Sequence, residues 1–277
     1  MKLSLDHIAA AVALSETEGW NQTAGDWRRL IELEPDGCFA VREGDQLIGT
    51  VTTTAYGPTL AWIGMMIVHR EHRRRGVGAA LMRLALEYLT SRGVATVKLD
   101  ATPAGKPLYE SLGFVTEVEL ERWQGVTKPD SVPDSRETSG ASRQSLIDLD
   151  LAAYGVDRRR LIESLVDGSV VDPIIVSRDD GRDAGYALAR RGRIATYIGP
   201  IVAESTADAE RLLDAAVARL DRQEVCLDLH RGGFLEPAAL AERGLTKRRG
   251  LVRMRYGVPN AAATSRSICA STGPEFG

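Results

Sequence analysis

The residues best suited to chemistry stand in one short stretch, VHREHRRRGVGA, at positions 68–79. An apolar run ends at Val68 and a helical pattern begins near Gly76, so the stretch joins a strand to a helix. The first turn of a helix has backbone N–H groups without partners inside the helix, and it carries the positive end of the dipole. Gly76 and Gly78 lack a Cβ, which lets an anion approach those N–H groups closely. The stretch therefore predicts a phosphate-binding loop.

Arginine side chains support this prediction. Arg73, Arg74 and Arg75 precede the first glycine and supply guanidinium donors that match phosphate oxygens. The stretch has neither the GxxxxGK[ST] pattern of a Walker A loop nor the GxGxxG pattern of a dinucleotide-binding fold. On its own it is equally consistent with a solvated basic turn whose glycines serve the backbone.

A second informative stretch follows the apolar run VATVKL and reads DATPAGKPLYESLGF at positions 100–114. Taken together, the two stretches resemble the GNAT superfamily of N-acetyltransferases. The pyrophosphate motif of that family, Arg/Gln-x-x-Gly-x-Gly/Ala after a strand, matches residues 73–78. Its C-terminal motif, a tyrosine followed by a Gly-Phe pair, matches Tyr109, Gly113 and Phe114. The resemblance covers roughly residues 5–123.

The resemblance implies acetyl-CoA as cosubstrate and a direct attack of an amine on its thioester. In such enzymes two strands splay apart, and the pantetheine arm pairs with the backbone of the strand before the loop, here Met66, Ile67 and Val68. N–H groups of this strand can polarise the thioester carbonyl. The residues implied to hold the pyrophosphate are Arg73, Arg74, Arg75, Gly76, Val77, Gly78 and Ala79.

The resemblance also implies an acid for the departing thiolate. The tyrosine of the C-terminal motif commonly supplies this proton, and a phenol with a pKa of about 10 stays protonated at neutral pH. Tyr109 is therefore the predicted catalytic residue, with packing over the sheet as its alternative role. Asp100 is the best-placed carboxylate for a general base, and a turn or cap role is an equal alternative.

The elements that would position these residues follow a strand-and-helix pattern. Trp20–Leu33 predicts a helix with Thr23 as its N-cap and Asp26 in a capping box, and residues 38–54 predict a hairpin. Ala61–Val68 predicts a strand buried on both faces. After the loop come a helix, a strand at 94–99, a short helix at 107–112 and a strand at 118–122. The predicted fold class is α/β, with a mixed, splayed sheet flanked by helices.

The second half of the chain repeats this order. WIGMMIV at 62–68 matches YIGPIVA at 197–203, VKLDA at 97–101 matches VCLDL at 225–229, and YESLGF at 109–114 matches LAERGL at 240–245. An internal duplication explains the matches. In the second copy Glu204, Asp208 and Glu210 replace the arginines and glycines and would repel a pyrophosphate, and Leu240 replaces the tyrosine. We therefore predict two tandem GNAT-like domains, of which the second has lost its cofactor site.

Local composition sets the predicted domain limits. A catalytic domain is expected at 1–124, a linker rich in Pro, Ser, Thr, Gly and Asp at 125–141, and the degenerate domain at 142–258. Residues 259–277 are small and polar and predict a disordered tail, whose final GPEFG resembles a vector remnant.

Bulk composition excludes several classes of function. The 277 residues carry a net charge of −3, which argues against a nucleic-acid footprint over the whole surface. Three scattered cysteines and four histidines show no ligand spacing, so no metal and no disulfide is predicted. No run reaches the roughly 18 apolar residues of a membrane span, and the start lacks a signal-peptide pattern. We expect a cytoplasmic monomer or homodimer without a membrane or nucleic-acid partner.

The predicted function is an acetyl-CoA-dependent N-acetyltransferase that acts on a primary amine of a small molecule or peptide. Two alternatives remain open. One is a transferase of a longer acyl group, and the other is a non-catalytic acyl-CoA-binding sensor in which Tyr109 only packs. The sequence defines neither the acceptor amine nor the length of the acyl chain.

Overall fold

A computed structural model describes residues 1–128, 142–259 and 265–277 of the chain. The chain divides into two compact units. Unit 1 comprises Met1–Thr116, Met254–Pro259 and Pro274–Gly277, and unit 2 comprises Glu117–Arg253 and Asn260–Gly273.

Unit 1 contains a mixed sheet with helices packed on it. Its helices are α1 (Ile8–Glu16), α2 (Ala24–Leu33), α3 (Val77–Ser91) and α4 (Lys106–Ser111), and its strands are β1 (Phe39–Glu43), β2 (Gln46–Ala55), β3 (Ala61–Val68) and β4 (Thr96–Ala101). Strands β1, β2 and β3 are antiparallel neighbours, whereas β3 and β4 are parallel. Helices α1, α2 and α3 all contact β2. The predicted fold class is confirmed.

Local sequence signals explain two of these elements. The side chain of Thr23 accepts a hydrogen bond from the Asp26 N–H at 3.3 Å, and Asp26 Oδ2 accepts one from the Thr23 N–H at 2.8 Å. This predicted capping box fixes the start of α2, which buries Trp27 and Leu30 in the core. Strand β3 is buried at seven of its eight positions, as expected for an apolar run in the middle of a sheet.

Unit 2 repeats the same arrangement. Its helices are α5 (Arg143–Tyr154), α6 (Arg159–Asp167), α7 (Thr206–Arg219) and α8 (Pro237–Glu242), and its strands include β6 (Ile174–Ser177), β7 (Asp183–Arg190), β8 (Thr196–Ala203), β9 (Glu224–His230) and β11 (Ile268–Ala270). Strands β6, β7 and β8 are antiparallel, and β8 and β9 are parallel, as β3 and β4 are in unit 1. The duplication seen in the sequence is therefore a duplication of structure.

The predicted domain limits differ from the two units. Strands β5 (Val115–Val126) and β10 (Thr246–Gly257) each have residues in both units, so residue 124 does not end the first unit. Thr127, placed in the predicted linker, is buried and donates a hydrogen bond to the Leu220 carbonyl at 2.6 Å. Residues 129–141 of that linker lie outside the described part of the chain.

The prediction of a disordered tail is wrong for residues 265–277. Strand β11 pairs with β8 through Ile268↔Val202 and Ala270↔Ile201, and with β9 through Ala270↔Leu229. Further along, Phe276 is fully buried in unit 1. The segment has no apolar periodicity of its own, because its order comes from strands that are distant in sequence.

Within the described residues, no helix has both the length and the apolar character needed to cross a bilayer.

Candidate active site

Strands β3 and β4 separate after a short region of pairing. Their pairing consists of Ala61↔Val97 and Trp62↔Lys98. A bulge then interrupts the register between β2 and β3, and it places Met65 at a φ of 47°, with the Thr50 hydroxyl donating a hydrogen bond to the Met65 carbonyl at 2.8 Å. Beyond the bulge, the side of β3 that faces away from β2 forms an open edge.

The direction of the backbone groups on this edge follows from strand alternation. The His69 N–H donates to the Ile48 carbonyl of β2 at 2.8 Å, so alternate residues back along β3 face β2 or the open edge in turn. By this alternation Met66 and Val68 face the open edge, whereas the N–H and C=O of Ile67 point to β2. That Met66, Ile67 and Val68 all bind the pantetheine arm stays a prediction, and on this edge Met66 and Val68 are the residues whose backbone groups point outwards.

The loop between β3 and α3 bends back towards the strand it leaves. Residues Arg70–His72 form a 3-10 turn, Arg74 adopts a φ of 62°, and Gly76 adopts a φ of 82° as the N-cap of α3. Positive φ values favour glycine at such a position. Helix α3 begins at Val77 and has no acidic residue in its first turn.

Three backbone N–H groups at the start of α3 are available to an anion. The Ala80 N–H is the first to bond within this turn, to the Gly76 carbonyl at 3.0 Å. The N–H groups of Val77, Gly78 and Ala79 precede it and have no carbonyl to bond inside the helix. This start of α3 has the geometry and polarity of a phosphate site.

The three arginines of the loop differ in their contacts. Arg73 Nε donates to the Val68 carbonyl at 3.0 Å, and Arg73 Nη2 lies 2.5 Å from Glu18 Oε1. Burial alone would raise the pKa of Glu18, but hydrogen bonds from Arg73 and Arg70 outweigh it, so this pKa is lowered and Glu18 stays ionised. Arg73 therefore holds the loop in place, and the cationic groups most available to a phosphate are those of the exposed Arg74 and Arg75.

Gly78 lets the start of α3 pack closely on side chains of β3 and α4. A Cβ at this position would lie 2.9 Å from Met66 Cε and 3.5 Å from Leu108 Cδ2. The missing side chain thus brings α3 against β3, and it also brings α4, which carries Leu108, close to the start of α3. All the sequence-predicted site residues lie in unit 1.

Tyr109 lies on α4 with its ring buried. The ring packs at 6.1 Å from the Phe114 ring, edge to face, and a Cβ on Gly105 would lie 3.1 Å from Tyr109 Cε2. Burial raises the pKa of Tyr109 to about 12. The phenol therefore stays protonated at every physiological pH. Asp100, the other titratable candidate, is half-buried at the end of β4.

The structure also shows side chains that could approach a metal. His69, Glu71 and His72 offer ligand atoms within 4.8 Å of one another in the described part of the chain. Zinc bonds of about 2.0–2.1 Å require ligand atoms closer than this, so the side chains would have to move. The spacing of the histidines along the sequence does not indicate that these three side chains lie close together.

The counterpart of this site in unit 2 is closed in two ways. The Ser205 hydroxyl accepts a hydrogen bond from the Asp208 N–H at 3.2 Å at the start of α7, and Arg178 pairs with Glu204 at 3.0 Å. A capped, acidic helix start has little affinity for a phosphate. Leu240 stands where α4 carries Tyr109, and it is fully buried.

Strand β11 supplies the second closure. It lies between β8 and β9 beyond their parallel pairing at Thr196↔Val225 and Tyr197↔Cys226. The Ala203 N–H donates to the Ser267 carbonyl at 2.9 Å. Ile201, Val202 and Ala203 are the counterparts of Met66, Ile67 and Val68, so the chain itself fills the edge that is open in unit 1. The sequence pattern gave no signal for this strand.

Comparison with known proteins agrees with this duplication. The model of the acetyltransferase (GNAT) family matches residues 8–114, and the model of an acetyltransferase (GNAT) domain matches residues 146–270. The chain belongs to the GNAT acetyltransferases. It is a tandem GNAT protein and an acyltransferase, and enzymes of this family use acetyl-CoA as a cosubstrate.

Individual relatives extend along most of the chain. The uncharacterized N-acetyltransferase YitH of Bacillus subtilis (strain 168) is 27% identical over 222 residues, which cover 79% of this chain and 77% of that protein. A candidate acetyltransferase from Pyrococcus horikoshii superposes with a TM-score of 0.84 at 23% identity, covering 100% of this chain and 95% of that chain. A tandem GNAT protein from the clavulanic acid biosynthesis pathway superposes with a TM-score of 0.65 at 16% identity, covering 94% and 99%. At these identities the two structures show the shared fold.

Proposed function

We propose that this GNAT protein is an acetyl-CoA-dependent N-acetyltransferase, and that unit 1 transfers an acetyl group to a primary amine of a small molecule or peptide. The observation that carries the proposal is that one unit contains both the open edge of β3 and the uncapped start of α3. The edge suits the pantetheine arm, and the N–H groups of Val77, Gly78 and Ala79 suit the pyrophosphate. The matching edge and helix start in unit 2 are both occupied by its own residues.

The proposed reaction is a single acyl transfer. The amine nitrogen forms a bond to the thioester carbonyl carbon while the C–S bond breaks, and the nitrogen loses one proton as the sulfur gains one. The Met66 N–H faces the open edge and would donate a hydrogen bond to the carbonyl oxygen as negative charge develops on it. Tyr109 supplies the proton that the sulfur needs, and the proton released by the nitrogen passes through water to Tyr109 and restores the phenol. The two interactions would stabilise the negative charge that develops on the carbonyl oxygen and on the sulfur, and this stabilisation would speed the reaction.

Thioester turnover tests this proposal. The full chain is incubated with acetyl-CoA and a panel of primary amines. The release of free thiol is measured, and the masses of the products are determined by mass spectrometry. We expect thiol release that depends on the amine, with an acetyl group added to it. A chain that binds CoA and releases no thiol with any amine, both with residues 274–277 and without them, would instead be a sensor. A higher kcat/KM with a longer acyl thioester would assign a different acyl group.

Binding stoichiometry provides an independent test. Because unit 2 has an acidic, capped helix start and a filled edge, calorimetric titration with CoA is expected to saturate at one equivalent per chain. Arg75→Ala should weaken binding by about ten-fold or more, because a charge-assisted hydrogen bond contributes about 1.5–3 kcal/mol. Arg222→Ala, which changes an exposed arginine of unit 2, is the matched control and should leave the affinity unchanged. Two equivalents of equal affinity would contradict the assignment.

A further inference from the structure

Residues 274–277 occupy a groove on the first half of β3. Side chains of the groove donate hydrogen bonds to the backbone carbonyls of this segment. Trp62 Nε1 donates to the Pro274 carbonyl at 2.9 Å. The Tyr56 hydroxyl donates to the Phe276 carbonyl at 2.7 Å. Both donors are buried side chains of unit 1. We call this site the β3 groove and define it by Gln22, Tyr56, Trp62 and Gly64.

The fit between the β3 groove and its occupant depends on missing side chains. A Cβ on Gly64 would lie 2.8 Å from both the Cα and the carbonyl oxygen of Glu275. A Cβ on Gly277 would lie 2.6 Å from Trp62 Cε3. Glycine at position 64 allows the two backbones to approach directly, and glycine at position 277 allows the occupant to lie against the Trp62 ring.

The side chains of the occupant are also held. Glu275 Oε2 accepts a hydrogen bond from Gln22 Nε2 at 2.8 Å, and both residues are buried. Phe276 is fully buried, with the Arg29 guanidinium 5.8 Å from its ring centroid. Three side chains of the β3 groove therefore donate hydrogen bonds to the occupant, to two of its carbonyls and to one carboxylate.

Several acceptor atoms around the groove are left without a matching donor. The oxygen Gln22 Oε1 and the hydroxyls of Thr52 and Thr54 are buried and find no hydrogen-bond partner among the described residues. Thr52 lies opposite Gly64, and Thr54 lies opposite Trp62, in the β2–β3 register, so both threonines share the groove face. Buried polar groups without partners normally mark a site that a ligand or water completes. Pro274 has no backbone N–H that it could donate to these oxygen atoms.

We propose that the β3 groove is the acceptor side of the active site, that it binds a peptide-like amine, and that residues 274–277, of which Pro274–Phe276 form a turn, are its intramolecular occupant. The inference rests on the proposed function, because Gly64 lies only two residues before Met66, which faces the open edge. Two residues span at most about 7 Å, so an amine in the groove can lie near a thioester held there. The N–H groups of such an amine would meet the unmatched acceptor atoms.

Peptide binding without any thioester present tests the groove separately from catalysis. A variant that lacks residues 274–277 is titrated by calorimetry with the synthetic peptide Gly-Pro-Glu-Phe-Gly, after thermal unfolding confirms that it folds. We expect one equivalent to bind to this variant and none to the full chain. Adding Tyr56→Phe should weaken binding about five-fold, since one hydrogen bond contributes about 1 kcal/mol. Tyr256→Phe, a tyrosine of unit 1 outside the groove, should leave it unchanged.

A second variant covers the case in which the deletion unfolds the protein. Phe276→Ala in the full chain removes the buried anchor of the occupant and should allow the same peptide to bind. Equal peptide affinity of the full chain and of a folded variant, including no binding to either, would overturn the proposal. In turnover assays the variants should prefer short peptides with a free amine over compact amines, and the reverse preference would also overturn it. A lack of thiol release with normal peptide binding would count against the proposed function alone.

Discussion

Gly76→Asp is expected to lower the affinity for CoA by about 10³-fold. The new carboxylate would stand at the N-cap of α3, where the pyrophosphate is proposed to lie. Two unit charges about 4 Å apart repel by about 4 kcal/mol at the effective dielectric constant near a protein surface. Nothing lies within 4 Å of a Cβ built on Gly76, so the side chain itself meets no obstacle. Calorimetric titration with CoA measures the effect.

A matched variant separates charge from backbone strain. Gly76→Asn has nearly the same shape as Gly76→Asp and the same positive φ of 82°, but it carries no charge. We expect its affinity for CoA to fall by much less, with equal thermal stability of the two variants. Similar affinities for Asp and Asn would mean that the backbone conformation matters and the phosphate does not lie there. If both variants bind CoA with near-normal affinity, the loop is not part of the cofactor site.

Tyr109→Phe is expected to lower kcat by about 10²-fold while leaving CoA affinity nearly unchanged. The substitution keeps the ring that packs on Phe114 and removes only the hydroxyl that is proposed to protonate the thiolate. General acid catalysis typically contributes 10²–10⁴-fold, which sets the size of the effect. An unchanged kcat would assign Tyr109 to packing and leave water as the acid. Steady-state kinetics and calorimetry on the same preparation distinguish these outcomes.

The control for this variant is another tyrosine next to the same aromatic cluster. Tyr256 packs 5.6 Å from the Phe114 ring, and Tyr256→Phe should leave kcat unchanged. The pH profile gives a further check. Because burial raises the pKa of Tyr109 to about 12, the protonated form persists below that value, and kcat should not fall through loss of this proton up to about pH 11.

Much of unit 1 could be predicted from the sequence because its signals are local. The capping box at Thr23, the apolar run of β3 and the glycines at the start of α3 each report the conformation of their own neighbourhood. The same holds for the duplication, since each copy keeps its own pattern. These local signals also identify the proposed phosphate site, because its N–H groups belong to one helix turn.

What the sequence could not predict depends on partners far along the chain. Glu18 holds Arg73, 55 positions later in the sequence, and no pattern near either residue indicates the pair. The direction of the Ile67 backbone depends on its register with β2. Residues 265–277 look like a polar tail because their order is supplied by β8, β9 and the β3 groove rather than by their own periodicity.

The late position of β11 has a consequence for how the protein is made. Strands β8 and β9 leave the ribosome before β11, since Ile268 follows His230 by 38 positions. At a synthesis rate of about 5–20 residues per second, the gap between these strands stays unfilled for about 2–8 s on each nascent chain. During that time the buried Ile201, Val202 and Leu229 border an unpaired strand edge that can bind other nascent chains. Slow or paused translation in this interval is thus expected to raise the demand of this protein for chaperones.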